Sequence, residues 1–346
     1  MKALVYKERN QVELQEVERP VIEKETDAVI RVVMTTICGS DVHLCHGHIP
    51  TTPGYVLGHE YVGIVEQVGS MVSNCKVGDR VIGPAAPYCG QCENCLKGMI
   101  MYCRNGGVHG SGKEFGNLSG SMSEYMRIPF ADVNLIKVPD ELEDEQVLFV
   151  GDILSTGYFA TEKAAIEPGD TVVIFGAGPV GLCAVQTARL YHPKHVVLVD
   201  IDPFRLEVGK KLGATHIVNA KECDPLQIIA ELTEGKGASA AIEAAGAEIT
   251  FQQAVRCVGI GGKVSLVGIF GQAVSFPLHE VFMKNIRIEM GLSYLGNMNK
   301  LLELIQMRKI DLRPMITHRL TLDEIENGFD LFASRKDNVV KMVIRS

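Results

Sequence analysis

Hydrophobic and polar residues follow two different patterns along the chain, and these patterns predict two kinds of β-sheet. In the first part, Val and Ile alternate with polar residues, which is typical of antiparallel strands, here at residues 2–6, 12–17, 28–36, 61–68, 123–128 and 133–138. From residue 171 onward, short apolar runs alternate with helical stretches, which indicates a doubly wound parallel sheet. The sequence therefore predicts an α/β protein whose first part is mostly β.

The alternation in the second part is regular enough to place its elements. Strands are predicted at residues 171–175, 195–199, 215–218, 240–244, 262–267 and 286–290. The helices between them are predicted at residues 182–191, 202–213, 225–233 and 250–258. Beyond residue 293 the pattern predicts two amphipathic helices and a last strand, at residues 297–307, 322–332 and 339–344. A short acidic helix is predicted at 139–146, before this second part begins.

A glycine turn follows the first strand of the parallel sheet and has the spacing Gly-x-Gly-x-x-Gly. Gly176 permits the tight turn, Gly178 lets the backbone approach a pyrophosphate, and Gly181 lets the next helix pack on the strand. Pro179 and Val180 complete the turn, and the helix N-terminus offers free N–H groups to phosphate. The strand, turn and helix together predict a dinucleotide site. The alternative is an ordinary βαβ turn that binds no nucleotide.

An acidic residue ends the second strand of this sheet. Asp200 lies 19 residues after Gly181, where a carboxylate can accept hydrogen bonds from both hydroxyls of the adenosine ribose. A 2′-phosphate would be repelled there, so we predict NAD and not NADP. Arg205, five residues further on, is within reach of the same ribose, although a solvated surface charge explains it nearly as well.

Length, charge and cysteine content narrow the class of protein. The 346 residues suggest about two domains. A net charge of −8 argues against nucleic acid and anionic membranes as partners. We expect neither a signal peptide in the charged N-terminal segment nor a transmembrane span, because no apolar run is long enough. Ten cysteines in such a chain indicate the cytoplasm, and thiols that serve as ligands.

Four cysteines lie within fifteen residues of one another, at Cys89, Cys92, Cys95 and Cys103. Four closely spaced thiolates in a reducing compartment predict a tetrahedral zinc site. Because four protein ligands leave no open position, this zinc would be structural. A redox Cys-x-x-Cys pair and a nucleic-acid zinc knuckle are the alternatives; the first seldom uses four cysteines, and the acidic chain disfavours the second.

A second group of metal-ligand residues stands earlier in the chain. Cys38 and His59 each follow a predicted strand or turn, and both residue types suit zinc. Ser40 and His43 come directly after Cys38. His109, in a loop rich in Gly and Ser, is a less convincing ligand, and we expect it to be exposed.

Four segments together resemble the zinc-dependent medium-chain alcohol dehydrogenases: residues 38–43, 58–60, 77–81 and the glycine turn. The motifs occur in the order of that family, and the resemblance covers essentially the whole chain. It implies a discontinuous, GroES-like, mostly β catalytic domain formed by residues 1–152 and 293–346. Residues 153–292 would form an NAD-binding Rossmann domain.

The resemblance also implies the ligands of a catalytic zinc. They are Cys38, His59 and, just before Ser-Thr-Gly, Asp152, where many members have Cys. A subgroup of microbial secondary-alcohol dehydrogenases has Asp at this place, and zinc accepts its oxygen. Glu60 would be an alternate ligand or would support the site. The alternative for Asp152 is a helix cap near Thr156.

Further roles follow from the same resemblance. Ser40 would accept the alcohol proton, which would pass through the cofactor ribose to His43 and on to water. Thr156 would pack beside the nicotinamide, and Val267 would contact the cofactor at a strand end. Lys341 would bind the pyrophosphate, although an ordinary surface lysine is an equal alternative.

The implied activity is reversible, NAD-linked oxidation of an alcohol to a ketone or aldehyde, with two zinc ions per chain, one catalytic and one structural. Asp152 favours secondary alcohols. The alternatives are a polyol, butanediol or threonine dehydrogenase of the same superfamily and, in other classes, a zinc-free quinone reductase or a non-catalytic, zinc-stabilised binding protein. The expected partner is a small alcohol or ketone, and the resemblance implies a homodimer or homotetramer.

Overall fold

The computed structural model describes all 346 residues, Met1–Ser346, and divides into two compact units. Unit 1 comprises Met1–Asp152, Tyr294–Met307 and Ile316–Ser346; unit 2 comprises Ile153–Ser293 and Arg308–Met315. Residues 308–315 belong to unit 2, whereas the prediction grouped them with residues 1–152. The Asp311 amide donates to Gln186 Oε1 at 2.7 Å and so ties this segment to unit 2. The assignment of the units to a catalytic and a nucleotide-binding domain stays a prediction.

The part of unit 1 that precedes residue 153 is mostly β. Its strands are β1 Lys2–Glu8, β2 Gln11–Glu16, β3 Ala28–Thr35, β4 Tyr61–Val68, β5 Arg80–Ile82, β6 Tyr125–Ile128 and β7 Ile136–Lys137. Its helices are short: α1 Gly39–Cys45, α2 Glu93–Leu96, α3 Ala131–Asn134 and α4 Asp144–Val147, with 3₁₀ turns at Ile100–Tyr102 and Lys113–Phe115. A π-helical turn, Val150–Leu154, includes the last residues of this part.

Strands and helices alternate throughout unit 2. The strands are β8 Thr171–Phe175, β9 His195–Asp200, β10 His216–Asn219, β11 Ala238–Glu243, β12 Val258–Leu266 and β13 Arg287–Met290. The helices are α5 Ser155–Lys163, α6 Pro179–Ala188, α7 Pro203–Leu212, α8 Pro225–Leu232, α9 Glu248–Cys257 and α10 Leu278–Val281. Short 3₁₀ turns occur at Arg189–Tyr191, Phe282–Lys284 and Arg313–Met315.

The C-terminal segment returns to unit 1 and adds two helices and two strands. They are α11 Met298–Gln306, β14 Ile316–Thr321, α12 Ile325–Ser334 and β15 Lys341–Arg345, with 3₁₀ turns at Leu295–Asn297 and Leu322–Glu324. None of the helices in the structure combines the length and the apolar character that crossing a membrane requires.

The large sheet of unit 1 has the order β14-β15-β3-β4-β5-β7, with β6 on β3, and it is antiparallel except for the pair β14 and β15. Strand β3 is central, since β4, β6 and β15 all pair with it. Thr35, its last residue, lies opposite both Tyr61 at the start of β4 and Ile344 in β15. Three segments therefore lie side by side: the one that follows β3, the one that precedes β4 and the start of β15.

The sheet of unit 2 is entirely parallel and has the order β10-β9-β8-β11-β12-β13. The strand order reverses between β8 and β11, which is where open α/β sheets bind ligands. All five residues of β8 are buried, as expected for a central strand covered by helices on both faces. The predicted doubly wound parallel sheet is therefore present.

Three local predictions differ from the structure. The strand predicted at 133–138 is confined to Ile136–Lys137, because the Asn134 side chain bonds the carbonyls of Tyr88, Pro129 and Phe130 and closes a helical turn. Helix α6 begins at Pro179 and not at residue 182, since proline is well suited to the first helical position. The prediction also lacked helices α1 and α5 and strand β14.

Candidate functional site

Four predicted ligand residues meet at the end of strand β3 in unit 1. Cys38, His59, Glu60 and Asp152 each place a ligand atom within 4.8 Å of the others. The pairing of β3 with β4 explains how Cys38 and His59 come together, since one follows β3 and the other precedes β4. Asp152 comes from the π-helical turn, whose Gly151 carbonyl accepts the Ala85 amide at 3.0 Å. Such turns often occur at functional sites.

The distances within this cluster fit a zinc ion. His59 Nε2 lies 3.3 Å from Asp152 Oδ2, and Cys38 Sγ lies 3.6 Å from the same oxygen. Two ligands at a tetrahedral angle are about 3.3 Å apart for nitrogen and oxygen and about 3.5 Å apart for sulfur and oxygen, given the usual bond lengths to zinc. The donor set and its spacing therefore suit Zn²⁺.

Asp41 supports the cluster from helix α1 and was not predicted as a site residue. It is fully buried, its Oδ2 accepts the Cys38 amide at 2.8 Å, and its Oδ1 lies 3.3 Å from His59 Nδ1. A carboxylate beside Nδ1 keeps the proton on that nitrogen and leaves Nε2 free to bind a metal. Burial lowers the pKa of His59, but Asp41 and Asp152 outweigh burial and raise it well above its ordinary value, so a metal that binds Nε2 displaces a proton from it.

Lys341 does not have the predicted role. Its side chain is fully buried in unit 1, and Nζ lies 2.6 Å from Glu60 Oε1 and 2.9 Å from the Ile37 carbonyl. Neither a pyrophosphate-binding lysine nor a surface lysine fits this position. The strand β15 register accounts for it, because Ile344 lies opposite Thr35 and Lys341 therefore falls beside the chain that follows β3.

Glu60 is the partner of this lysine and is itself buried. Burial raises the pKa of Glu60 to about 7, although Lys341 lowers it, while Oε2 has no hydrogen-bond partner. One oxygen is thus held by Lys341 while the other remains unpaired within the ligand cluster. This geometry fits both predicted roles of Glu60, as an alternate ligand of the metal or as a residue that supports the metal site.

Ser40 and His43 occupy different surroundings on helix α1. Ser40 Oγ lies 3.3 Å from His59 Nε2, at the metal cluster. His43 is partly exposed, and its Nδ1 lies 3.2 Å from Nδ1 of His48, a residue that the sequence analysis did not single out.

The four cysteines of the second predicted site also converge. Their sulfurs lie within 4.8 Å of one another, with Cys92 Sγ 3.5 Å from Cys95 Sγ and 3.9 Å from Cys103 Sγ. Sulfurs in a tetrahedral zinc site are about 3.8 Å apart. Backbone N–H groups of Arg104 and Cys95 lower the pKa of Cys92 to about 6, which favours the thiolate that zinc requires. The residues fit a closed, four-sulfur zinc site.

The glycine turn of unit 2 has the geometry that its spacing predicts. Gly176 has a φ of +102°, and a Cβ on Gly181 would lie 1.9 Å from the Gly176 carbonyl oxygen. A Cβ on Gly178, by contrast, would meet nothing within 4 Å. Packing inside the protein therefore explains two of the three glycines, and a ligand close to the backbone would explain Gly178. Pro179 and Val180 begin helix α6.

Asp200 lies at the end of β9 and is tied to this turn. Its carboxylate accepts the amides of Ala177, Ile201 and Asp202. A carboxylate has about four acceptor positions, so about one remains. The predicted pair of hydrogen bonds to both ribose hydroxyls is thus limited to about one without rearrangement, whereas the negative charge is fully retained.

The remaining predicted cofactor residues lie in unit 2. Arg205 Nε lies 3.6 Å from the Oδ2 atom of Asp202, which precedes it by three residues at the start of helix α7. This ion pair is an alternative to the predicted ribose contact. Thr156 Oγ1 donates to Ser293 Oγ at 3.1 Å, and the Val267 amide donates to the Glu243 carbonyl at 2.9 Å. Their predicted contacts with a cofactor stay predictions.

His109 contradicts the expectation of an exposed loop residue. It is fully buried in unit 1, where its Nδ1 lies 3.1 Å from the Ser119 carbonyl and its ring meets Tyr61 edge-on. Burial lowers its pKa to about 3, so the ring is neutral. A polar, glycine-rich loop gave no sign of this packing, because burial here arises from contacts between segments distant in sequence.

Comparisons with known proteins agree with one another. Residues 24–140 match the family model of the alcohol dehydrogenase GroES-like domain, and residues 179–307 match that of the zinc-binding dehydrogenase. The chain is 38% identical to an alcohol dehydrogenase from Cupriavidus necator, over 100% of this chain and 98% of that protein. It is 33% identical to an L-threonine 3-dehydrogenase from Alteromonas mediterranea, over 96% of this chain and 97% of that protein.

Among solved structures, alcohol dehydrogenase TADH from Thermus sp. ATN1 has a TM-score of 0.95 and 37% identity, covering 100% of this chain and 99% of that one. The predicted fold, a GroES-like part with a Rossmann-type parallel sheet, is confirmed by this likeness and by the family models.

Replacing Lys341 by Met should destabilise the protein, because the Glu60 carboxylate would remain buried without its counter-ion. We expect urea unfolding at pH 8 to show a loss of about 3–5 kcal/mol, part of it from proton uptake by Glu60, whose pKa Lys341 no longer lowers. The exposed Lys336→Met is the matched control and should cost less than about 0.5 kcal/mol. The double variant Glu60→Gln/Lys341→Met should regain most of the loss. A Lys341→Met variant as stable as the control would contradict the buried ion pair.

Replacing Cys95 by Ser should remove one zinc ion per chain, because three thiolates and a hydroxyl form a much weaker site. Metal analysis by mass spectrometry should then give one zinc fewer than in the unmodified protein, with a lower unfolding temperature. The exposed Cys223→Ser is the control and should change neither value. Unchanged zinc content in the Cys95 variant would refute the structural site.

Proposed function

Because the chain belongs to the zinc-dependent medium-chain alcohol dehydrogenases, we propose that it oxidises a secondary alcohol to a ketone, reversibly, with NAD as the hydride acceptor. The observation that carries this proposal is the convergence of Cys38 Sγ, His59 Nε2 and Asp152 Oδ2 at zinc-ligand spacing. A site with three protein ligands keeps a position for a reacting molecule, whereas the four-cysteine site does not.

In this proposal Cys38, His59 and Asp152 hold the catalytic zinc, and Asp41 fixes the orientation of His59. A zinc ion held there would polarise an alcohol oxygen and lower its pKa, and bound NAD would supply the hydride acceptor. Ser40 Oγ, beside His59, would accept the hydroxyl proton while it passes its own proton through the cofactor ribose to His43. Burial lowers the pKa of His43, as do the neighbouring His48 and His46, so His43 is neutral near pH 7 and able to accept a proton.

We place a second, structural zinc at the four cysteines, giving two zinc ions per chain. All ten cysteines are free thiols in the structure, which suits ligands kept reduced in the cytoplasm.

A polyol, butanediol or threonine dehydrogenase activity is the second candidate. The likeness to an L-threonine 3-dehydrogenase supports it. The four-cysteine cluster supports it as well, since the family resemblance implies that some secondary-alcohol enzymes with the Asp ligand lack this lobe. Asp152 supports the first candidate. A non-catalytic, zinc-stabilised binding protein is the alternative in another class, and it would have no need of an open metal site with Ser40 beside it.

The test is a panel of secondary alcohols, diols, polyols and threonine, assayed by NADH absorbance, with the Cys38→Ala variant beside the unmodified protein. We expect turnover with a simple secondary alcohol and a loss of at least about 10³-fold in the variant, since its metal site lacks a ligand. The variant should still bind NAD, as measured by calorimetry. Equal turnover in both proteins would contradict the catalytic metal, and turnover of threonine or a diol alone would favour the second candidate.

The proposed preference for NAD rests on the charge of Asp200. Asp200→Gly should raise the ratio of kcat/KM for NADP to that for NAD by at least about tenfold, because it removes the charge that repels a 2′-phosphate. Asp202→Ser, which keeps a capping side chain at helix α7, is the control. If the ratio in the Asp200 variant equals that of the control, Asp200 does not select the cofactor.

We also propose that two copies of the chain associate along strand β13. This strand is the edge of the parallel sheet, so one side of its backbone has no strand partner. Large apolar side chains on or beside this edge are exposed, with Phe282 at 70%, Met283 at 82% and Met290 at 70% of full exposure. An apolar strand edge of this kind favours pairing with a second copy.

Met290→Lys should therefore shift the mass measured by light scattering after gel filtration from that of a dimer or tetramer toward a smaller species. A charge on the edge strand opposes pairing with an identical charge on the second copy. Met307→Lys, at a residue exposed to a similar degree elsewhere, should leave the mass unchanged. A monomeric unmodified protein would rule out the proposed association.

A further inference from the structure

Oxidation of an alcohol releases a proton, and the chain must carry it to water. The inference here rests on the proposed function and concerns what lies beyond His43. His43 is only partly exposed, and it has a hydrogen-bonded neighbour that is exposed to water, His48.

The backbone after helix α1 explains how these two histidines meet. The helix ends at Cys45, and Gly47, with a φ of +74°, turns the chain back. The carbonyl of His43 accepts the amide of His48 at 2.9 Å and that of Ile49 at 3.4 Å. This turn holds the two imidazole rings together, with ring centres 5.4 Å apart and planes at 50°.

The atoms in contact are both Nδ1, at 3.2 Å, which is within hydrogen-bonding distance for two nitrogens. One Nδ1 must therefore carry the proton and the other must accept it. His48 is exposed to water, whereas His43 is only partly exposed. The bond thus leads from a more enclosed imidazole to a more exposed one.

The charges around His43 favour release of a proton outward. The groups that face it are His48 and His46 from the loop and Arg335 from the end of helix α12, and all of them carry or can carry positive charge. After burial, these three groups are the causes that lower the pKa of His43. A proton that reaches His43 is therefore repelled by its surroundings, and His48 offers it the hydrogen-bonded exit.

We propose that His48 is the next proton carrier after His43 and delivers the proton to water. Neutral His43 carries its proton on Nδ1 and donates to Nδ1 of His48. When a second proton arrives at Nε2 of His43, the Nδ1 proton moves to Nδ1 of His48, and His48 releases its own Nε2 proton to water. One proton enters, one leaves, and no redox change occurs. Because both rings contact water, exchange restores the starting tautomers between turnovers.

The experiment compares His48→Gln with His46→Gln as the matched control. His46 lies in the same loop, and its ring meets that of His48 edge-on at 5.8 Å, but no hydrogen bond links it to His43. The substrate is the best secondary alcohol from the panel. The measurements are kcat as a function of pH and its response to added imidazole.

We expect His48→Gln to lower kcat for alcohol oxidation by about tenfold at pH 7, the lower end for a proton-transfer group, because water partly replaces the ring. Imidazole should restore most of the loss, and the loss should disappear at high pH, where hydroxide accepts the proton. His46→Gln removes a weaker positive neighbour of His43, so it should change kcat by no more than about threefold at any pH and should not respond to imidazole. A purely structural role for His48 would lower kcat without rescue by imidazole.

The outcomes separate the two proposals. An active unmodified protein in which His48→Gln behaves as the control does, or loses activity that imidazole cannot restore, overturns the role of His48 and leaves the proposed function intact. An unmodified protein that oxidises none of the alcohols overturns the proposed function itself, and the proton path with it.

Discussion

The pairing of strand β3 with β4 and β15 is the constraint on which the candidate site depends. Thr35 lies opposite Tyr61 on one side and Ile344 on the other, so three segments distant in sequence end beside one another. Cys38 follows the first strand, His59 precedes the second, and Lys341 opens the third. A shift of one residue in either register would turn these side chains to the other face of the sheet.

Charge balance explains why this arrangement requires a cation. Asp41, Glu60 and Asp152 bring three carboxylates to the cluster, and Lys341 is the one lysine there, paired with Glu60. Burying unpaired charge is costly, and the excess here is negative even before the Cys38 thiol ionises. A divalent metal bound by Cys38, His59 and Asp152 would offset most of it. The residues that would hold the metal thus also shape the fold, and Lys341 balances part of their charge.

The spacing of nearby residues predicted much of the candidate site. The residues that the sequence did not predict owe their positions to packing between distant segments. The glycine turn and the four cysteines are short motifs whose geometry follows from neighbouring residues, so their spacing alone predicted their convergence. Lys341 and His109 could not be placed from spacing, because their burial depends on strands and loops that come from elsewhere in the chain. The bond from the Cys38 amide to Asp41 is a local contact at the start of helix α1, but the contact of Asp41 with His59, which makes it a site residue, arises only through strand pairing.

The most direct test of the account is anomalous X-ray diffraction at the zinc edge from crystals of the protein. The account predicts two anomalous peaks per chain, one among the four cysteines and one bonded to Cys38, His59 and Asp152, with Glu60 still paired with Lys341 or moved onto the metal. A single peak at the cysteines, with Cys38, His59 and Asp152 bound to no metal in zinc-replete protein, would contradict it.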